Sequence, residues 1–182
     1  MTTTGARNRT TTGSSSALND LGLLVLRIAV AASMLQAGLI KAFGFDATTE
    51  FMIGNGWKMS TFAAYLVTAT EIAGGAALLL GLLTPLAACG IIAAMIDAWA
   101  VNVSGAAFWS DPFNIPFLLA FAATALLFTG AGSYSVDAKV FGRPHWPGAV
   151  TIGLFLVAVG SAVATWVLLN GTNPLHASNP AT

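Results

Sequence analysis

Charged side chains are scarce in this chain. They make up 8% of the 182 residues, whereas 56% of the residues are hydrophobic. A soluble domain carries about 25% charged residues, so this composition predicts that lipid is the solvent for most of the chain. Seven Lys and Arg residues balance seven Asp and Glu residues, and a net charge of zero argues against a nucleic-acid partner.

Cysteine and histidine are also rare. The single cysteine, Cys89, lies in an apolar run, which excludes an intrachain disulfide and a CxxC thiol relay. His145 and His176 lie outside every apolar run, which argues against a haem held by two histidines within a bilayer. No residue pattern typical of a metal or flavin site is visible, and we expect no metal and no covalently bound cofactor.

Five apolar segments are long enough to cross a membrane, because a helix needs about 20 residues to span about 30 Å of hydrocarbon. They are Leu21–Phe43, Thr61–Leu83, Leu86–Val103, Pro112–Thr129 and Ala149–Leu169. We therefore predict an all-α fold, a polytopic membrane helix bundle. Thr84-Pro85 and Asp111-Pro112 each place an N-cap residue before a proline at the first helical position.

The remaining segments divide the chain into regions. Residues 1–17 are rich in Thr, Ser and Gly and predict a disordered cytoplasmic tail. A signal peptide is the competing interpretation, but the following apolar run is too long for one and contains Arg27. Residues 18–140 predict a four-helix membrane bundle, residues 141–169 a loop end with a fifth transmembrane helix, and residues 170–182 an external tail. Ala47–Ile53 predicts either a short interfacial helix or a disordered loop.

The distribution of Lys and Arg predicts the orientation, since cytoplasmic loops carry an excess of these residues. A cytoplasmic N-terminus and an external C-terminus place Arg7, Arg9, Lys139 and Arg143 inside. Only Lys41 and Lys58 then lie toward the outside. In this orientation Trp57, Trp109 and Trp166 fall near the outer interface and Trp146 near the inner one, as aromatic belts predict.

Four ionisable residues lie within the apolar runs, namely Arg27, Lys41, Glu71 and Asp97. A charge at mid-membrane costs roughly 2.5–3.5 kcal/mol on insertion scales, so such groups are expected to face the bundle interior. Helical periodicity places Arg27, Glu71 and Asp97 each on a face that also carries small residues. Lys41 lies near a helix end, where its side chain is expected to extend to the interface.

We predict that Arg27, Glu71 and Asp97 form one connected polar cluster. Glu71 would pair with Arg27, or share a proton with Asp97. Gln36, which lies off the polar stripe, and Lys41 are secondary candidates. The cluster is either a set of ion pairs that fixes helix register or a pocket for a quinone head group, a lipid head group or a proton.

These residues and their surroundings resemble the DoxX family of small bacterial membrane proteins. The motifs that carry the resemblance are Arg27, Gly38-Leu39-Ile40-Lys41, Glu71-Ile72-Ala73-Gly74-Gly75, Gly81-Leu82-Leu83-Thr84 and Gly130-Ala131-Gly132-Ser133-Tyr134-Ser135-Val136-Asp137. Together they cover the chain from Leu21 to Asp137. The glycines Gly38, Gly74, Gly75 and Gly81 are expected to let helices pack closely. The chain departs from the family pattern at Pro85, where arginine is frequent, and in its fifth helix.

The resemblance implies a DoxX-like four-helix unit in the bacterial cytoplasmic membrane. Some relatives are small subunits of quinone-linked oxidoreductases, and others are linked to complexes that answer oxidative and thiol stress. We therefore expect a membrane subunit of a redox complex, with the lipid bilayer and a membrane or membrane-associated redox protein as partners, and quinone as a candidate ligand. The alternative is a non-catalytic scaffold or assembly factor. A transporter is less favoured, because no inverted repeat or broken helix is apparent.

Overall fold

A computed structural model describes the backbone of residues 9–104 and 111–172 and the side chains of residues 16–103 and 111–172. This part of the chain forms α-helices and one π-helical segment. In chain order they are α1 (Arg9–Phe43), α2 (Phe45–Gly54), α3 (Ser60–Leu80), α4 (Thr84–Ser104), α5 (Ile115–Thr129), α6 (Val136–Val140), α7 (Gly148–Thr165) and the π-helical segment Trp166–Asn170. The all-α helix bundle predicted from the sequence is confirmed.

Four of these helices are long and apolar enough to cross a membrane: the stretch from Ser16 to Phe43 of α1, α3, most of α4, and α7 together with the π-helical segment. α5 is shorter, with 15 residues or about 22 Å at 1.5 Å per residue. It begins at Ile115 because the Asn114 side chain caps it by accepting from the Phe117 N–H. The helix therefore begins three residues after the predicted start at Pro112.

The ends of two other elements also differ from the sequence-based expectation. α1 begins at Arg9, so residues 9–17, predicted to be part of a disordered tail, are helical. The region between α1 and α3 contains the helix α2, which decides between the two predicted alternatives in favour of a short helix. Within α2, Phe51 and Ile53 are exposed, whereas Met52 is buried.

α4 lies at the centre of the bundle. It packs against α3, α5 and α7, while α1 packs mainly against α3. The main core between these helices includes Met34, Leu78, Ile91, Leu126 and Ala158, all fully or almost fully buried. Many large apolar side chains remain exposed on the outside of the bundle. Such a surface would be a liability in water, and it fits a protein surrounded by lipid.

The two ends of the bundle are distinct: one contains the buried Arg27 and the other the partly exposed Lys41. At the Arg27 end lie the first half of α1, the turn between α3 and α4, the end of α5, α6 and the start of α7. At the Lys41 end lie the last turn of α1, α2, the start of α3 and the C-terminal ends of α4 and α7. A second buried cluster at the Lys41 end includes Met52, Trp57, Ala64, Val101 and Trp166.

Candidate functional site

Glycines bring the three helices of the site unusually close together. A Cβ atom added to Gly38 of α1 would lie 2.7 Å from Ile72 Cγ1 of α3. A Cβ on Gly75 would lie 3.0 Å from Leu35 Cγ of α1, and one on Gly74 would lie 3.0 Å from Ile91 Cγ1 of α4. Small residues of this kind let helix backbones approach in lipid. They fix the level at which α1, α3 and α4 face one another.

The close approach at Gly38 places Lys41, one turn further along α1, over Glu71 of α3. Lys41 Nζ lies 2.9 Å from Oε1 and 2.8 Å from Oε2 of Glu71. The Glu71 side chain is 3% exposed and the Lys41 side chain 29% exposed. The expectation that Lys41 extends to the interface is therefore wrong, because the carboxylate of Glu71 offers it a partner inside the protein.

A cavity of about 390 Å³ begins at this ion pair. Its floor is one face of α4, running from Cys89 to Asn102, and includes the small residues Gly90, Ala93, Ala94 and Ala98. One wall comes from α3 and the other from Ser161 and Thr165 of α7. Phe51 and Met52 of α2, together with Trp57, complete the cavity at the Lys41 end.

Two polar groups of the cavity have no partner among the residues that the structure describes. Asp97 lines the cavity, and its carboxyl makes no hydrogen bond or ion pair within the part of the chain that the structure describes. The Trp57 side chain is 8% exposed, and its buried indole N–H has no acceptor among the described residues. A buried polar group without a partner costs on the order of 1–3 kcal/mol. A bound ligand that forms hydrogen bonds with these groups would remove this cost.

Trp57 is fixed in the cavity wall by contacts with the C-terminal end of α7. Its ring packs edge-on against the Trp166 ring, with centroids 5.7 Å apart. The neighbouring Lys58 N–H donates to the Leu169 carbonyl at 2.7 Å, and the Asn170 side-chain amide donates to the Asn55 carbonyl at 2.8 Å. Both tryptophans lie at the predicted outer end. Both rings are buried in protein.

Arg27 does not belong to this cavity. It lies fourteen residues before Lys41 on the same helix, about 21 Å along the axis. Its guanidinium donates to the carbonyls of Ala131 and Tyr134, at 2.6 Å each, and Asp137 acts on it as the opposite charge. The predicted connection of Arg27 with Glu71 and Asp97 is therefore wrong. The structure brings Glu71 and Asp97 together around one cavity and places Arg27 at the opposite end.

The segment that binds Arg27 also closes the turn between α3 and α4. The Asp137 carboxylate accepts from the Leu83 and Thr84 N–H groups at 2.7 and 2.9 Å, and from the Trp146 indole at 3.3 Å. Asp137 therefore caps α4. The hydroxyl of Thr84, the predicted cap, is buried without a partner among the described residues. At Gly81 (φ +64°), a Cβ would lie 2.6 Å from Ser135 Cβ and 2.7 Å from Arg27 Nη1.

The other predicted residues take no part in the site. Gln36 is exposed on the outer surface of α1. Trp109 and His176 lie outside the described residues. Within the described residues, no group of three or more His, Cys, Asp or Glu side chains is placed to hold a metal ion.

Sequence reasoning did not assign Trp57 to the cavity and did not assign a role to Asp137. No local pattern marks Trp57, because its placement depends on the distant end of α7. Asp137 had a usable signal in the sequence Ser135-Val136-Asp137, where Ser135 caps α6. A serine N-cap followed by an acidic residue in the first turn indicates a helix start.

The family comparison agrees with the motifs of the first four helices. The DoxX family profile matches residues 22–104, which is the part of the chain that carries Lys41, Glu71 and the floor of the cavity. No curated protein and no solved structure is significantly similar to the chain. Residues 22–104 are therefore similar to the DoxX family of small integral membrane proteins.

Proposed function

We propose that this protein is the quinone-binding membrane subunit of a redox complex, with the quinone head group in the cavity beside Lys41, Glu71 and Asp97. The observation that carries the proposal is the cavity itself. It is mainly apolar, the Lys41–Glu71 ion pair lines it, and Asp97 and the Trp57 indole have no partner among the described residues. Ligand sites are typically apolar clefts with a few polar groups that fix orientation.

The polar groups match the needs of both redox forms of a quinone. A quinone carbonyl accepts hydrogen bonds, and the Trp57 indole offers a free donor. Lys41 carries three N–H donors, and its bonds to the two oxygens of Glu71 account for two of them. The hydroxyl of the reduced form donates, and the free carboxylate of Asp97 can accept. A carboxyl group can also gain or lose the proton that accompanies quinone reduction or oxidation.

The proposal divides the reaction between two proteins. This subunit would hold the quinone and exchange protons with it at Asp97, while a membrane or membrane-associated redox partner would exchange electrons. Oxidative or thiol stress is the physiological setting that the family resemblance suggests. The proposed orientation, with the N-terminus in the cytoplasm, would place the head group in the outer half of the bilayer.

A non-catalytic scaffold is the second candidate, and a feature of α7 favours it. Gly153, Gly160 and Ala164 are exposed on the outside of the bundle, and nothing lies within 4 Å of a Cβ added at either glycine. Small residues on an uncovered helix face permit close packing with a partner helix. In this alternative the buried charges fix helix register only.

Extraction and quantification of quinone from the purified protein separates the two candidates. We expect close to one quinone per protein, and at least a tenfold lower content in Asp97→Asn, which removes the titrating acid at nearly constant volume. Gln36→Leu is the matched control, because it removes a polar group from the exposed surface of α1. A wild-type protein with no more quinone than an unrelated membrane protein, or an Asp97→Asn variant with full quinone content, would contradict the proposal.

A further inference from the structure

The segment between α5 and α7 presents two cations beside two large apolar side chains. Lys139 and Arg143 are exposed, and Val140 and Phe141 between them are 68% and 45% exposed. Neither cation forms an ion pair with a carboxylate in the part of the chain that the structure describes. These four residues form the anchor patch, a surface with free positive charge next to uncovered apolar area.

Asp137 attaches the anchor patch to the bundle. The Asp137 carbonyl accepts from the Phe141 and Arg143 N–H groups at 3.1 and 3.0 Å, and its carboxylate accepts from the Trp146 indole at 3.3 Å. The Arg143 guanidinium lies over the Trp146 ring, 5.4 Å from its centroid. Asp137 itself is fully buried. The patch is therefore held in place before any ligand arrives, which lowers the entropy cost of binding.

The anchor patch lies where the hydrocarbon of a bilayer meets the lipid head groups. α3 and α4 have 21 residues each, about 30 Å at 1.5 Å per residue, which matches the hydrocarbon thickness of about 30 Å. Asp137, which begins two residues before the patch, binds the turn between these two helices through the Leu83 and Thr84 N–H groups. At this depth apolar side chains reach acyl chains and neighbouring cations reach phosphates.

The exposed charge differs in sign between the two ends of the bundle. At the Arg27 end, the acids among the described residues are both engaged: Asp137 is buried, and the half-buried Asp20 accepts from the Ser133 N–H at 3.2 Å. The anchor patch therefore carries positive charge without an exposed acid beside it, which is complementary to an anionic lipid. The exposed charged side chains described at the Lys41 end are mainly acidic, namely Asp46, Glu50, Lys58 and Asp111.

We propose that the anchor patch binds an acidic phospholipid, with the phosphate on Lys139 and Arg143 and the acyl chains beside Val140 and Phe141. A guanidinium can donate two parallel hydrogen bonds to a phosphate. Phosphatidylcholine carries its own cation beside the phosphate, so two protein cations at this site disfavour it. The proposal is independent of the quinone cavity, which lies toward the other end of the bundle.

The test measures which lipid the purified full-length protein retains in detergent. The protein is equilibrated with equal amounts of dioleoyl phosphatidylglycerol and dioleoyl phosphatidylcholine, and bound lipids are counted by native mass spectrometry. Each Lys or Arg near an anionic lipid favours binding about fivefold, so the wild type should prefer phosphatidylglycerol by on the order of tenfold. Lys139→Gln combined with Arg143→Gln should reduce this preference by about fivefold or more and leave the quinone content unchanged.

Three further variants separate charge, apolar contact and folding. Lys58→Gln removes an exposed cation from the Lys41 end and should keep the full preference. Arg143→Lys keeps the charge and should retain most of the preference, which shows that the loss in the glutamine variant does not come from local unfolding. Val140→Ser combined with Phe141→Ser should weaken the retention of both lipids, because the contact with the acyl chains is lost.

Three results would overturn the lipid site. They are equal retention of the two lipids by the wild type, an unchanged preference in the double glutamine variant, and displacement of phosphatidylglycerol by inorganic phosphate, which would assign the cations to a free anion. The quinone content of the same samples is a separate readout. A protein that prefers phosphatidylglycerol but contains no quinone would support the lipid site and contradict only the proposed function.

Discussion

Lys41 and Glu71 should be energetically coupled to each other, whereas Arg27 and Glu71 should not be. A fully buried pair loses about 3–5 kcal/mol when one partner is removed, whereas an exposed pair is worth about 0.2–1 kcal/mol. Glu71 is 3% exposed and Lys41 29% exposed at the side chain, which places this pair between the two cases. We expect a coupling free energy of about 1–3 kcal/mol.

Two double-mutant cycles measure these couplings. The first combines Lys41→Met with Glu71→Gln, and the second combines Arg27→Met with Glu71→Gln. Unfolding by SDS in mixed dodecylmaltoside micelles, followed by far-ultraviolet circular dichroism, gives the free energy of each variant. The Arg27–Glu71 cycle should be additive within about 0.5 kcal/mol, because the two residues share no partner.

The reverse result would refute the assignment of these partners. Coupling above about 1 kcal/mol between Arg27 and Glu71, with additivity between Lys41 and Glu71, would restore the pairing expected from the sequence. Arg27→Met is expected to lower stability by itself. It removes the donors that hold the carbonyls of Ala131 and Tyr134, and its effect should combine non-additively with substitutions at Asp137.

Three further predictions follow from the packing and the polar contacts. Asp137→Ala removes the acceptor of two backbone N–H groups and should lower the free energy of unfolding by about 1–3 kcal/mol. An unchanged melting temperature would contradict the capping role of Asp137. Gly38→Leu should separate α1 from α3 and reduce the yield and stability of the protein. Gly153→Leu adds its side chain in open space and should leave both unchanged. Equal effects of the two substitutions would contradict the role of Gly38 in helix packing. Lys58→Cys should react with an impermeant maleimide on intact cells, and Lys139→Cys only after permeabilisation. The native Cys89 is buried and should add no background labelling. Labelling of both variants in intact cells would reject the proposed orientation.

Most of the helices could be predicted because each crosses lipid with a long apolar run. The predicted segments overlap α1, α3, α4, α5 and α7, and the errors lie mainly at the ends. Those ends depend on side chains that act locally or across the fold. Asn114 rather than Asp111 caps α5, and the distant carboxylate of Asp137 caps α4.

The partners of the buried charges could not be predicted in the same way. Periodicity and rise per residue give the face and the depth of Glu71, and both were compatible with Arg27. They do not reveal that Gly38 brings α1 so close to α3 that Lys41, and not Arg27, forms the ion pair with Glu71. They also do not reveal that the segment after α5 folds back to supply carbonyls for Arg27. Both facts depend on contacts between residues far apart in the chain.

We propose that the cavity between α3, α4 and α7 binds a quinone head group beside Lys41, Glu71 and Asp97. Photolabelling of the purified protein with an azido-quinone, followed by peptide mass spectrometry, tests it most directly. We expect labels within residues 63–71 of α3 and 89–102 of α4, suppressed by excess unmodified quinone and reduced in Asp97→Asn. Labels spread over the outer surface of the bundle and insensitive to competitor would contradict the claim.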